Sequence, residues 1–72
     1  MLVDSEKILR DFGQKISAQR ASNSLTQEQL AELAGLERSY ISDIERGTRN
    51  VGLVNIVKLS KALGVCPSAF FK

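Results

Sequence analysis

The chain has no histidine, one cysteine and one proline in 72 residues. Without histidine, the most frequent general base and a common nitrogen ligand for metals are both missing. Cys66 has no second cysteine to pair with, so no internal disulfide can form, which fits a reducing cytosol. The sequence holds no cluster of metal ligands and no glycine-rich phosphate loop. These absences argue against an enzyme, and no cofactor, metal or small-molecule ligand is expected. No apolar run approaches the roughly 20 residues that a membrane span needs, so no membrane partner is expected. The first residues, Met1-Leu2-Val3-Asp4-Ser5-Glu6, lack the basic-then-apolar layout of a signal peptide, and a cytoplasmic location is expected. No repeat, linker or low-complexity tract divides the chain, so residues 1–72 read as a single domain. No strict apolar–polar alternation is found, so no strand is expected.

What remains is an ordinary globular composition, 43% hydrophobic and 25% charged, which excludes disorder. A domain of this size has a marginal core and gains stability by association. The formal charge of +2 is unevenly spread. Residues 1–37 hold four basic side chains against six acidic ones, and residues 38–72 hold six against two. A phosphate-binding surface would draw mainly on the second half.

Apolar spacing is helical throughout, and five helices are expected. The first runs from Asp4 or Ser5 to Ala21, with Ile8, Leu9, Phe12 and Ile16 on one stripe. Ser22-Asn23-Ser24 breaks it. Thr26 and Gln29 form a capping box for the second helix, which ends near Ala34 at Gly35. The third spans Arg38 to Arg46 and stops at Gly47. A loop follows from Thr48 to Gly52. The fourth spans Leu53 to Leu63, closed by Gly64, and Pro67 opens a short fifth helix ending at Phe71.

Residues 26–47 make the sharpest pattern. Two short helices crossing steeply need a small residue where their axes approach, and Ala31 supplies it. The corner needs a residue that reverses without a Cβ clash, and Gly35 supplies that. The inner faces must be apolar, and Leu30, Ala34, Leu36, Ile41 and Ile44 are. An arbitrary pair of amphipathic helices would not place small residues at both steric pinch points. The outer side of the third helix then carries Arg38, Ser39, Tyr40 and Asp43, side chains able to read DNA base edges. The arrangement is a helix-turn-helix signature.

From Ile8 to Phe71 the chain resembles the Cro/C1-type (XRE-like) helix-turn-helix regulators. The run Arg38-Ser39-Tyr40-Ile41-Ser42-Asp43-Ile44-Glu45-Arg46-Gly47-Thr48-Arg49-Asn50 with Leu53 is similar to the controller proteins of restriction–modification systems. The tail Ala62-Leu63-Gly64-Val65 with Phe70-Phe71 is also similar to theirs. The resemblance implies an all-α, compact five-helix lambda-repressor-like DNA-binding domain, acting in the bacterial cytosol or nucleoid. Its third helix would lie in the major groove. Arg38, Ser39, Tyr40 and Asp43 are then the expected base contacts. Arg38 suits guanine, and Asp43 either accepts from a cytosine amine or orients Arg38 or Arg46. Thr26 and Gln27, at a helix N-terminus, with Ser42, Arg46, Arg49 and Asn50, are the expected phosphate contacts. The resemblance also implies a partly buried ion pair between Arg20 and Glu45. Val51-Gly52 departs from the family, where many members have Pro-Ser, so this loop is expected to be less rigid. Glu37 would repel a phosphate and is expected to point away from DNA.

The fourth helix is too apolar for a single buried face. At about 100° per residue, Leu53, Val54, Ile56, Val57, Leu59 and Leu63 cover roughly 220°, against the ~100° one core contact requires. Residues 53–72 are therefore expected to form a homodimer surface through Val54, Val57, Val65, Phe70 and Phe71. The competing reading is that both phenylalanines cap the monomer core. A two-fold dimer reads a palindromic double-stranded DNA operator, with half-sites about 34 Å or a multiple apart. Glu28 and Glu32, four apart on the second helix, are either a solvated face or an acidic patch touching RNA polymerase, as in related phage repressors that also activate. The expectation is a transcription regulator, an autoregulatory controller of a restriction–modification system. The alternatives are a prophage-type repressor or an antitoxin of the same fold.

Overall fold

The structure, a computed structural model, describes residues 2–72. It contains α1 (Ser5–Ser22), α2 (Gln27–Ala34), α3 (Arg38–Arg46), α4 (Leu53–Leu63) and a terminal 3-10 helix (Pro67–Phe71). The bounds follow local chemistry. The Asp4 carboxylate accepts from the Lys7 amide and opens α1. At α2, Thr26 Oγ1 accepts from the Gln29 amide at 3.0 Å while Gln29 Oε1 accepts from the Thr26 amide at 2.8 Å, so the capping box is closed in both directions. Gly35 ends α2 in the left-handed region at φ 69°, which aims α3 across it.

The expected fifth α-helix is instead a 3-10 helix. Five residues beginning at Pro67 are too few to propagate an α-helical ladder, and the Ala69 amide closes a tighter turn on the Cys66 carbonyl at 2.9 Å. Among the described residues no helix is long and apolar enough to cross a membrane.

α1 lies across α3 and the 3-10 helix, while α2 packs on α3 and α4. The core between them is Phe12, Ile16, Leu30, Ala31, Ala34, Ile41, Ile44, Leu59, Leu63 and Phe70. Ala31 is buried at the crossing of α2 with its neighbours, and Ile41 and Ile44 anchor the inner face of α3. Phe70 stands edge-on to Phe12 with ring centroids 5.5 Å apart. Asn23 fastens two helix ends together, since its Nδ2 donates to the carbonyls of Gln19 and Leu63.

α1 and the end of α3 approach closely. Gly13 lies buried in α1, and a methyl group there would overlap the Ile44 carbonyl oxygen and stand 3.1 Å from that of Glu45. Gly47 is doubly constrained, with φ at 76° and room for a Cβ only 2.9 Å from the Arg10 Cα. At the other end of the loop, Gly52 caps α4 without any side-chain hydrogen bond, where a Pro-Ser pair would have supplied a hydroxyl. Its φ of −73° and ψ of 160° suit any L-residue, and a Cβ there meets open space.

Two substitutions should therefore move stability in opposite directions. Gly13→Ala should lower it by about 2–3 kcal/mol, because the α3 backbone must retreat. Gly52→Ser should raise it by about 0.5–1 kcal/mol, through a restored cap and a less flexible unfolded chain. Urea unfolding midpoints of both variants against the parent measure this.

Candidate nucleic-acid interface

Four polar groups meet where α1, α2 and α3 converge. Arg20 Nε donates to Glu45 Oε2 at 2.7 Å and Arg20 Nη2 to Glu45 Oε1 at 3.0 Å, a two-pronged pair. Arg20 Nη1 reaches the Leu25 carbonyl at 2.8 Å, which pins the α1–α2 connection. Gln27 Nε2 donates to Glu45 Oε1 at 3.1 Å. The Glu45 side chain is only 8% exposed and that of Arg20 19%. Burial by itself would raise the Glu45 carboxyl, but hydrogen bonds from Arg20 and Gln27 and the Arg20 charge outweigh it, so the group titrates below its ordinary value.

Gln27, expected at a phosphate, is thus half-buried with one amide proton committed to Glu45. Thr26 is exposed beside it, although its amide and hydroxyl oxygen serve the capping box.

α3 presents its first turn outward. Arg38 and Ser39 are exposed, while Ile41 and Ile44 on the opposite side are fully buried. Glu37 is exposed at the N-cap and makes no side-chain capping bond. Tyr40 is half-buried and held from two directions: Asn55 Nδ2 donates to its hydroxyl at 3.0 Å, and the Arg49 guanidinium stacks 4.7 Å from its ring centroid. Together Glu37, Ser39, Tyr40, Arg49 and Asn55 line an open depression beside the helix corner. Asn55 was not foreseen as part of this surface. The available signal was one amide standing in the otherwise apolar first turn and a half of α4.

Along the same edge, Asp43 pairs with Arg46 and lies 3.6 Å from Arg49. Arg46 also donates to Ser42 Oγ at 2.7 Å. Asn50 is exposed in the loop beyond. Glu28 and Glu32 are exposed on α2.

The surface expected to bind a partner needs correction at one place. Phe70 is 2% exposed and belongs to the core, where its edge meets Phe12. Val65 is half-buried against the same core. Within residues 53–72 the large apolar side chains open to solvent are Leu53, Val54 and Val57 on α4, and Phe71, which is 63% exposed. Helical spacing could not separate two adjacent phenylalanines, because which one turns inward depends on the tight pitch of the 3-10 helix.

A steep helix pair with a rigid corner and a polar, partly basic second helix facing outward is the architecture of helix-turn-helix transcription regulators. Residues 16–71 match the family model described as Helix-turn-helix, and the chain belongs to that family, in its Cro/C1-type (XRE-like) branch. It is similar to the control protein C.BamHI of Bacillus amyloliquefaciens, 63% identical over 57 residues that cover 78% of this chain and 70% of that one. The control protein C.SmaI of Serratia marcescens is 44% identical over 61 residues, covering 85% and 69%. Among solved structures, the restriction-modification controller protein C.AhdI from Aeromonas hydrophila superposes with a TM-score of 0.86 at 51% identity, over 88% of this chain and 96% of that one. The protein is a helix-turn-helix transcription regulator of the restriction–modification controller type, and its family points to regulators rather than enzymes.

The Arg20–Glu45 pair predicts a defined acid sensitivity. A carboxyl held below its unfolded value, about 4.3, stabilises the fold fully above that value and loses its contribution as pH falls through the folded one. Glu45→Gln should cost about 3 kcal/mol at neutral pH, the lower end for a buried pair because Arg20 keeps some solvent. The gap between variant and parent should begin to narrow as the pH falls past the unfolded value and close only once it lies below the lowered value of the folded carboxyl, as urea midpoints across an acid series would show.

Proposed function

We propose that the protein binds a palindromic double-stranded DNA operator as a homodimer and controls its own promoter within a restriction–modification system. The observation that carries this reading is the outward first turn of α3, with Arg38 and Ser39 exposed and Tyr40 braced beside them. Arg38 is the reader of guanine, through O6 and N7, and Ser39 and Tyr40 contact neighbouring base edges. Thr26, Gln27, Ser42, Arg46, Arg49 and Asn50 face the flanking phosphates, and the α2 amides add the positive end of a helix dipole. The controller role is supported by the likeness to C.BamHI and C.AhdI.

Dimerisation rests on α4. Leu53 and Val54 are 76% and 69% exposed, and Val57 adds a further apolar group one turn on. Phe71 and Ile56 line a common hollow with Val51 and Phe12, which extends the apolar surface from α4 towards the C-terminus. A two-fold contact through this face would cover what the small core leaves open and set the spacing of two recognition helices.

In vitro selection of bound duplexes tests the reading and should return an inverted repeat. Arg38→Ala should lose preference at one position per half-site, at a cost of about 1–3 kcal/mol, whereas Arg49→Ala should weaken all sequences alike and lower the salt slope by about 1. Val54→Glu should shift the protein to monomer in sedimentation at micromolar concentration. Selection of no consensus, or a parent that sediments only as monomer, would overturn the proposal.

A further inference from the structure

One carboxylate stands among the arginines of the DNA-facing edge. Its two oxygens are divided between two different cations: Oδ1 takes Arg46 Nη2, and Oδ2 lies 3.6 Å from Arg49 Nη2. Both arginines are held from a second side as well, Arg46 by Ser42 and Arg49 by the ring of Tyr40. The arginine side chains are 60% and 49% exposed, and that of Asp43 is 30% exposed. The carboxylate therefore sits slightly recessed, with the guanidinium groups outside it. A planar, divided acceptor between two guanidinium groups is also the way a phosphate oxygen pair engages arginines.

We infer that Asp43 is an internal counter-ion, occupying Arg46 and Arg49 in the free protein and giving them up to DNA phosphates on binding. This rests on the DNA-binding reading above and assigns Asp43 there as a positioning residue rather than a reader of cytosine. Its effect is on affinity for every sequence. Phosphate contacts carry no base information and supply nearly all non-specific binding. A built-in acceptor that each phosphate must displace keeps that background low, and it holds both arginines close to the strand they will meet. Its position on α3 supports this division of work. Arg38 and Ser39, on the first turn, are free to read bases, while Asp43 lies in the last turn and a half beside the loop that carries Arg49.

Asp43→Asn keeps the shape and removes the charge. Binding to a selected operator and to a scrambled duplex should be measured by fluorescence anisotropy over a range of salt. One additional effective phosphate contact adds about 0.9 to the logarithmic salt slope, which at roughly 0.15 M salt is about a fivefold gain in affinity. The variant should gain this on both duplexes, with the ratio between them unchanged. In a background of Arg46→Ala and Arg49→Ala, Asp43→Asn should have almost no effect. A variant that loses operator affinity and preference at one base position, with scrambled DNA unaffected, would make Asp43 a base reader and overturn the inference. So would a fivefold gain that survives removal of both arginines, since the carboxylate would then act on DNA by direct repulsion. A parent protein that binds neither duplex overturns the DNA-binding reading itself, and is seen before any variant is made. Thermal melts of the variants, expected to match the parent closely, separate binding from folding.

Discussion

The Glu45 carboxylate is the point on which the recognition geometry depends. It belongs to the last turn of α3, yet its ligands come from α1 through Arg20 and from α2 through Gln27. Arg20 in turn holds the carbonyl of Leu25 in the α1–α2 connection. Three helices and one turn are thereby referred to a single charged group. A purely apolar core tolerates small slides of one helix on another, because dispersion is weakly directional. A forked hydrogen-bonded pair does not, since its geometry fails within a fraction of an ångström. A reader of base edges needs that kind of restraint more than it needs extra stability, and buried ion pairs are poor sources of net stability in any case.

The same restraint explains why the close approach of α1 and α3 is affordable. Gly13 lets the α1 backbone come down on the carbonyls of Ile44 and Glu45, so the end of α3 is clamped from beneath while its carboxylate is clamped from the side. Gly47 then turns the chain away immediately, against Arg10. The C-terminal half of α3 is thus held from two sides, while Arg38 and Ser39 at its start stand exposed. Rigidity at one end and exposure at the other is what a helix needs to enter a groove without rearranging.

Much of this was legible beforehand because it is written in local rules. Caps and glycine stops have short-range causes, and the bounds of α2, α3 and α4 follow from Thr26, Gly35, Gly47 and Gly64. The corner at Gly35 is set by its own left-handed backbone, since a Cβ there meets open space, while the small residue at Ala31 answers the crossing itself. What escaped was long-range or depended on a side chain's direction. Gly13 looks like an unremarkable break in an amphipathic stripe until α3 is laid on top of it. Asn55 acquires meaning only when α4 brings it to the Tyr40 hydroxyl across fifteen positions of sequence. Phe70 and Phe71 are chemically identical neighbours, and the choice of which one is buried is made by the 3-10 pitch. For Asp43 the sequence leaves open a base contact or a partner in Arg38 or Arg46, and the sharing of its two oxygens between Arg46 and Arg49 needs the path of the loop after Gly47.

The electrostatic design follows from the small total charge. At +2 the molecule as a whole exerts little pull on a polyanion, and at physiological salt fields fade within about 8 Å. Attraction must therefore come from charges that are near the DNA, and they are concentrated after residue 37. Even there, Asp43 offsets part of what Arg46 and Arg49 provide, and Glu45 is spent on Arg20. A protein built for tight general adhesion would not keep a carboxylate among the arginines proposed to face phosphates. Weak background attraction with a rigid, exposed reading turn suits a regulator that must leave wrong sequences quickly, because non-specific sites outnumber the right one by about 10⁶ or more. Under the proposed function, the mixed charge of α3 is part of how the protein discriminates, and the proposed contact through the apolar face of α4 lets two weak readers act as one.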